Sequence, residues 1–192
     1  MEKRDLRACL GKEWLYCDGG TGSLLQEKGL KGGELPERWN LERPEDVIEI
    51  AESYFRAGAD IVNTNTFGAN RLHYADSAEL EQIVRAGVRH VKTGLRRSGR
   101  TDGFVALDLG PTGRLLKPMG DLAFEDCVAI FAEVVRWGKE EGADLVLIET
   151  MSDAMEAKAA VLAAKENSEL PVFVTTVFDE KGKMLTGGTV ES

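Results

Sequence analysis

The sequence predicts an α/β protein in which a parallel sheet is covered by helices. Short, nearly continuous apolar runs alternate with longer stretches of helical periodicity. Polar and glycine-rich residues gather where each apolar run ends, the end at which parallel α/β folds place their ligands. A unit also repeats: Gly58-Ala59-Asp60-Ile61-Val62 is echoed by Gly142-Ala143-Asp144-Leu145-Val146, each joining a helix end to an apolar strand.

In chain order, residues 6–15 read as a lead-in and Trp14-Leu15-Tyr16-Cys17 as the first, buried strand. Asp18-Gly19-Gly20-Thr21-Gly22 follows, an acid ahead of three glycines in four residues, which lets backbone amides approach a ligand. The alternative is a tight turn in which Asp18 merely caps the next helix. Phosphate loops are excluded, because Gly20-x-Gly22 lacks the third glycine and no Gly-Lys-Ser/Thr follows. Residues 23–28 make one or two helical turns, and residues 29–40 form a loop of the length that covers a site. Pro44 opens a helix carrying Val47, Ile48, Ala51, Tyr54 and Phe55 inward and stopping at Gly58.

The second strand, through Ile61 and Val62, turns polar at Asn63-Thr64-Asn65-Thr66. Asp76 and Glu79 have capping-box spacing ahead of a helix that presents Leu80, Ile83, Val84, Val88, Val91 and Leu95 on one face. Residues 104–107 form the third strand and exit through Asp108-Leu109-Gly110-Pro111. A helix marked by Phe124, Cys127, Phe131 and Val135 runs to Gly142, and the fourth strand, 145–148, ends in Glu149-Thr150. A helix over about residues 152–165 turns Met155, Ala159, Leu162 and Ala163 inward, and Pro171 introduces the fifth strand, 172–178. Thr189-Val190-Glu191-Ser192 reads as the opening of a further helix. Even strand spacing fits a (β/α)8 barrel, which takes ~250 residues. The expectation is therefore one partial barrel domain over residues 1–192, with an open doubly wound sheet as the alternative.

Of 192 residues, 43% are hydrophobic and 30% charged, which supplies a core and excludes a disordered chain. No apolar run reaches the ~18 residues of a membrane helix. Met1-Glu2-Lys3-Arg4-Asp5 leads into no signal-like core, so the expected location is cytoplasmic, with no membrane partner. A net charge of -9 excludes a nucleic-acid surface, which needs clustered Lys and Arg. Arg96, Arg97 and Arg100, the densest basic group, read as the solvated end of a helix. Cys9, Cys17 and Cys127 lie too far apart for a disulfide framework or a self-contained zinc site and fit a reducing compartment.

A carboxylate at the end of a buried strand needs a cation, so Glu149 calls for a ligand ammonium or a Lys or Arg of the protein. Asp18 ends the first strand at the same level, and in a barrel the two acids would face one cavity. With the N–H groups of Gly19, Gly20 and Thr21 they could grip a zwitterion, acids on its ammonium and amides on its carboxylate. Asn63, Thr64, Asn65 and Thr66 suit either ligand orientation or loop hydrogen bonding. Asp108 is a third acid in this layer, with Arg114 or Lys117 as expected partners. His73 and His90 lack a catalytic-triad context and read as surface residues. Cys17 is either a small buried hydrophobe or a nucleophile.

Five motifs in series then resemble a known family: Asp18-Gly19-Gly20-Thr21-Gly22, Gly33-Glu34-Leu35-Pro36-Glu37-Arg38-Trp39-Asn40-Leu41, residues 58–72, Gly110-Pro111-Thr112-Gly113-Arg114-Leu115-Leu116, and Leu147-Ile148-Glu149-Thr150-Met151. Their order and spacing resemble the homocysteine S-methyltransferases, most closely the homocysteine-binding barrel of cobalamin-dependent methionine synthases. The resemblance implies a (β/α)8 barrel holding homocysteine and zinc at the strand carboxyl ends. It implies the homocysteine ammonium on Asp18 and Glu149 and its carboxylate on the backbone of Gly19, Gly20 and Thr21, with Asn65, Thr64 and Thr66 lining the pocket. The implied reaction methylates the homocysteine thiol to give methionine. The implied donor is methyl-cobalamin on a corrinoid-binding domain or protein, with betaine, S-methylmethionine or another methylated donor as alternatives. The family's zinc cysteines lie on the sixth and eighth strands, beyond Ser192, so no metal ligand is expected here. A truncated barrel inactive by itself is the expectation, and a non-catalytic or partner-dependent half-barrel the rival.

Overall fold

Four parallel strands, β1 (Ile61–Asn63), β2 (Phe104–Leu109), β3 (Leu145–Met151) and β4 (Val172–Thr176), lie side by side in the order in which the chain makes them. The computed structural model describes residues 4–192; Met1, Glu2 and Lys3 of the charged opening lie outside the described residues. The helices are α1 (Leu6–Cys9), α2 (Thr21–Glu27), α3 (Trp39–Glu42), α4 (Pro44–Ala57), α5 (Ser77–Arg97), α6 (Phe124–Glu140) and α7 (Ala154–Asn167).

Side chains alternate across a strand, and here each face has its own core. Val62, Val105, Leu107, Val146 and Ile148 point one way and pack under Val84, Val88, Phe131, Val135 and Ala160 of the helices. Ile61, Phe104, Ala106, Leu145 and Leu147 point the other way, against Leu6 and Cys9 of α1. A doubly wound sheet would reverse its strand order at a switch point and carry helices on both faces. Sequential order with the long helices on one face is the winding of a (β/α)8 barrel, of which these strands form part.

The internal repeat has a structural cause. Gly58 and Gly142 adopt φ of 105° and 86°, the left-handed end that lets α4 and α6 stop. The aspartate two residues later then clamps the preceding segment from both sides. The Asp60 amide donates to the Tyr16 carbonyl at 2.7 Å and its carboxylate accepts from the Tyr16 amide at 3.0 Å. Asp144 does the same to Val105, at 2.8 and 2.9 Å.

Several expectations need correction. Residues 14–17 are not a buried strand: only Cys17 bridges to Ile61, and Trp14 is 87% exposed. Within the described residues nothing covers the outer side of this sheet edge, so its aromatics have no core to enter. The 29–40 loop is partly helical, with a 3-10 turn at Pro36–Arg38 leading into α3. Met155 and Leu162 of α7 face outward, because the helix seats an alanine stripe, Ala159, Ala160, Ala163 and Ala164, in their place. Residues 189–192 form no helix. Asp76 caps α5 through the Ala78 and Glu79 amides, but Glu79 pairs with Arg38 instead of completing the box. Arg100 is not simply solvated: it donates to the Ala59 carbonyl at 2.6 Å and pairs with Asp60 and Asp102.

Close helix packing makes one position sensitive. A Cβ at Gly94 of α5 would lie 2.7 Å from the Glu52 amide nitrogen of α4, a backbone atom that cannot step aside. Overpacking of about 1–3 kcal/mol should outweigh the ~1 kcal/mol that alanine gains in a helix. Gly94→Ala is therefore expected to lower the urea midpoint; an unchanged or higher midpoint would count against this packing.

Candidate active site

At the carboxyl end of the sheet lies a cavity of about 500 Å³. Strand parity builds it. Asn63, Asp108, Glu149 and Thr175 share the face of Ile61, Ala106, Leu147 and Phe173, and all four reach the cavity where the apolar residues below them run out. The segment from Cys17 to Gly22 closes one side, and Pro36 and Glu37 close another. Among the described residues four carboxyl groups and no Lys or Arg line it, so its electrostatics favour a cation.

Asp18 does not cap α2: the N-cap is Gly20, with no side-chain cap. Asp18 instead accepts the Asn63 amide on Oδ2 at 2.8 Å, which holds the carboxylate at the cavity wall and leaves Oδ1 for something else. Burial pushes its pKa up to about 6 despite the Asn63 amide, and the neighbouring Glu149 charge adds to the rise. The uncapped first turn of α2 brings backbone amides to the same wall at Gly20 and Thr21. Gly19 sits close to α4: a Cβ there would lie 3.1 Å from the Tyr54 hydroxyl oxygen, so any larger residue must push that side chain back.

Glu149 is half-buried, makes no ion pair with any described Lys or Arg, and has its pKa raised by burial. A break in the ladder follows it directly. The β3–β4 register shifts between Ile148 and Met151, Thr150 takes a φ of 62°, and the Thr150 amide donates to Thr175 Oγ1 at 3.0 Å. A threonine at positive φ is strained, and here it sits in the bulge that ends the regular ladder beside the cavity. Thr150→Gly should change stability by no more than about 1 kcal/mol. Thr150→Pro, which can neither adopt this φ nor donate to Thr175, should cost ~3 kcal/mol or more in denaturant. Equal tolerance of both would remove the bulge from this account.

The expected pairing of Asp108 with Arg114 or Lys117 is not made. Arg114 pairs with Asp121, while Asp108 is 5% exposed and its Oδ1 has no hydrogen-bond partner. Burial, with the carboxyls of Glu149, Asp18 and Glu37 around it, raises its pKa well above the usual carboxylate range.

Thr64 and Thr66 spend their hydroxyls on the backbone of Asp108. Thr64 Oγ1 accepts its amide at 3.1 Å, Thr66 Oγ1 donates to its carbonyl at 2.8 Å, and the two hydroxyls bond each other at 2.6 Å. Asn65 lines the cavity but commits its amide N–H to Pro36 O and Asn40 Oδ1. These residues tie the loop to the strand ends.

Sequence reasoning missed Glu37, a buried carboxylate that accepts from the Gly68 amide at 2.6 Å and the Tyr74 hydroxyl at 2.9 Å. Its place in a loop motif was visible, but its burial was not. Cys17 is exposed overall, not a buried hydrophobe, and partial desolvation with the charges of Asp18 and Glu149 raises its thiol pKa. His73 is exposed; His90 is half-buried, pairs through Nε2 with Asn40 O at 2.7 Å, and has its pKa lowered by burial. Among the described residues no three His, Cys, Asp or Glu side chains are grouped to hold a metal.

A family model described as homocysteine S-methyltransferase matches residues 15–192. Crystal structures of the homocysteine methyltransferase MmuM from Escherichia coli share the fold. The oxidized and metallated forms each match with a TM-score of 0.84 at 21% identity, over 96% of this chain and 70% of that one. The apo form matches with a TM-score of 0.77 at 20% identity, over 96% and 67%.

Proposed function

The chain belongs to the homocysteine S-methyltransferase family, and from that premise we propose that its cavity binds homocysteine for methylation of the thiol to methionine. The observation that carries this reading is two acids without an ion pair to any described Lys or Arg, Asp18 and Glu149, beside an uncapped helix start in one cavity that no described lysine or arginine lines. In this reading Asp18 Oδ1 and Glu149 take the ammonium, the amides at Gly19, Gly20 and Thr21 take the carboxylate, and Asn65 keeps the loop over the pocket. The thiol then points to the open side, where a sulfur–carbon bond forms as the donor's methyl bond breaks and the thiol proton leaves. We take methyl-corrinoid on another domain or protein as the donor, with betaine or S-methylmethionine as the second reading; Phe67, 40% exposed at the cavity, offers an aromatic face to either kind of donor.

Zinc, which the resemblance implies, does not fit the described residues. Cys9 and Cys127 are buried away from the cavity and Cys17 is alone at it, so no ligand set exists here and no step is routed through the metal. We therefore assign these residues to gripping the amino-acid end of the substrate and expect no methyl transfer from them alone. A reducing cytoplasm fits three unpaired cysteines.

Calorimetric titration with L-homocysteine tests the reading, paired with chromatography of methionine formed from methylcobalamin, betaine or S-methylmethionine. Saturable binding supports it, and failure to bind the amino acid would sink it.

A further inference from the structure

The described residues leave two buried side-chain atoms without a hydrogen-bond partner, Asp108 Oδ1 and Asn63 Oδ1, and both belong to residues lining the same cavity. Both are oxygens. A buried oxygen without a donor costs free energy, so what the cavity lacks is a group that brings N–H. Among the described residues no three His, Cys, Asp or Glu side chains are placed so that they could hold a metal ion together.

Position along the sheet says which group. Asp18 lies beside β1, to whose Asn63 amide it is bonded, and Glu149 is on β3. Asp108 is on β2, between them and on the same face, with its backbone locked at both N and O by Thr64 and Thr66. A cation shared by Asp18 and Glu149 must pass over Asp108. A primary ammonium has three N–H donors, and two acids leave one of them unanswered.

We propose that Asp108 is a specificity-determining residue that receives the third N–H of the ligand's primary ammonium on Oδ1, from the floor of the cavity, so that the site selects a free α-amino group over a missing or N-alkylated one. This rests on the amino-acid reading of the cavity but does not require the ligand to be homocysteine. The charged and titratable groups around Asp108 are Glu149 on β3, Asp18 before α2 and Glu37 of the 3-10 turn, all acids. Asp108 can hold its proton among them and still accept through the carbonyl oxygen, adding an acceptor without a third negative charge.

The experiment is calorimetry on the full chain with L-homocysteine, N-methyl-L-homocysteine and 4-mercaptobutyrate, which lacks the amino group, for wild type, Asp108→Ala and Asp108→Asn. Asp108→Ala should weaken L-homocysteine on the order of 10- to 100-fold, leave 4-mercaptobutyrate within about twofold, and erase the preference against N-methylation. Asp108→Asn, which keeps an oxygen there, should recover most of the loss. Removing an unpaired buried carboxyl should also raise the thermal midpoint of Asp108→Ala at neutral pH, so weaker binding cannot be put down to misfolding.

Equal loss for all three ligands, or none for L-homocysteine, overturns the proposal. So does a wild type that binds L-homocysteine but no tighter than 4-mercaptobutyrate, or one that binds neither L-homocysteine nor L-methionine. If the wild type ignores homocysteine but binds L-methionine with the same dependence on Asp108, the homocysteine reading fails and this one stands.

Discussion

Asp18→Asn is expected to weaken L-homocysteine binding on the order of 10- to 100-fold near neutral pH and to flatten its pH dependence. The size follows from losing one charged hydrogen bond to the ligand ammonium. The pH dependence follows from burial. With a folded pKa of about 6, Asp18 is largely protonated below that pH and cannot pair with an ammonium. Affinity of the wild type should climb with pH up to about 6 and level above it, because the ionised form binds the ammonium more tightly than the protonated one. The ligand ammonium stays charged throughout this range, so the slope belongs to the protein. Glu149, also raised by burial, contributes in the same sense. Calorimetry across pH on both proteins checks this, and an asparagine variant that retains the slope would move the titrating group elsewhere.

Glu37→Ala is expected to be among the most destabilising single substitutions in the chain. It strands two donors at once, the Gly68 amide and the hydroxyl of the fully buried Tyr74. At roughly 1–3 kcal/mol for each orphaned group, the loss is about 2–5 kcal/mol, a large part of a typical domain's 5–15 kcal/mol. Gly68 shows how tightly the contact is drawn, since a Cβ there would lie 2.8 Å from Glu37 Oε1. Tyr74→Phe removes the donor together with its need for a partner and should cost only about 1 kcal/mol. Glu37→Gln, which keeps one acceptor oxygen, should fall between. Urea denaturation of the three variants orders them, and a Glu37→Ala loss under about 1 kcal/mol would show that the loop is held by other contacts.

Much of the fold can be read locally. The alternation of short apolar runs with amphipathic helices, the glycine stops at Gly58 and Gly142 and the cap at Asp76 all concern residues within a few positions of one another, and each forms where expected. The first strand was misread because Trp14 to Cys17 is apolar enough for a core but lies at the sheet edge, a fact no local pattern contains. Met155 and Leu162 were misplaced for the same reason: helical periodicity offers two faces, and the neighbours chose the alanine one.

The site divides along the same line. The position of each acid where an apolar run ends was enough to put Asp18 and Glu149 at one cavity, and both line it although the run before Asp18 is not a buried strand. The sequence by itself thus determined the α/β class, the strand order's raw material and the carboxyl-end layer of acids, because these depend on short-range spacing. Only the tertiary structure decided which acids are spoken for. Glu37 is satisfied by Gly68 and Tyr74, residues 31 and 37 positions away, while Asp108 pairs with no described Lys or Arg, and Arg114, the arginine expected to reach it, turns to Asp121. Whether a buried carboxylate is a structural partner or an open acceptor is set by what the fold brings against it from distant sequence, and no local spacing encodes that.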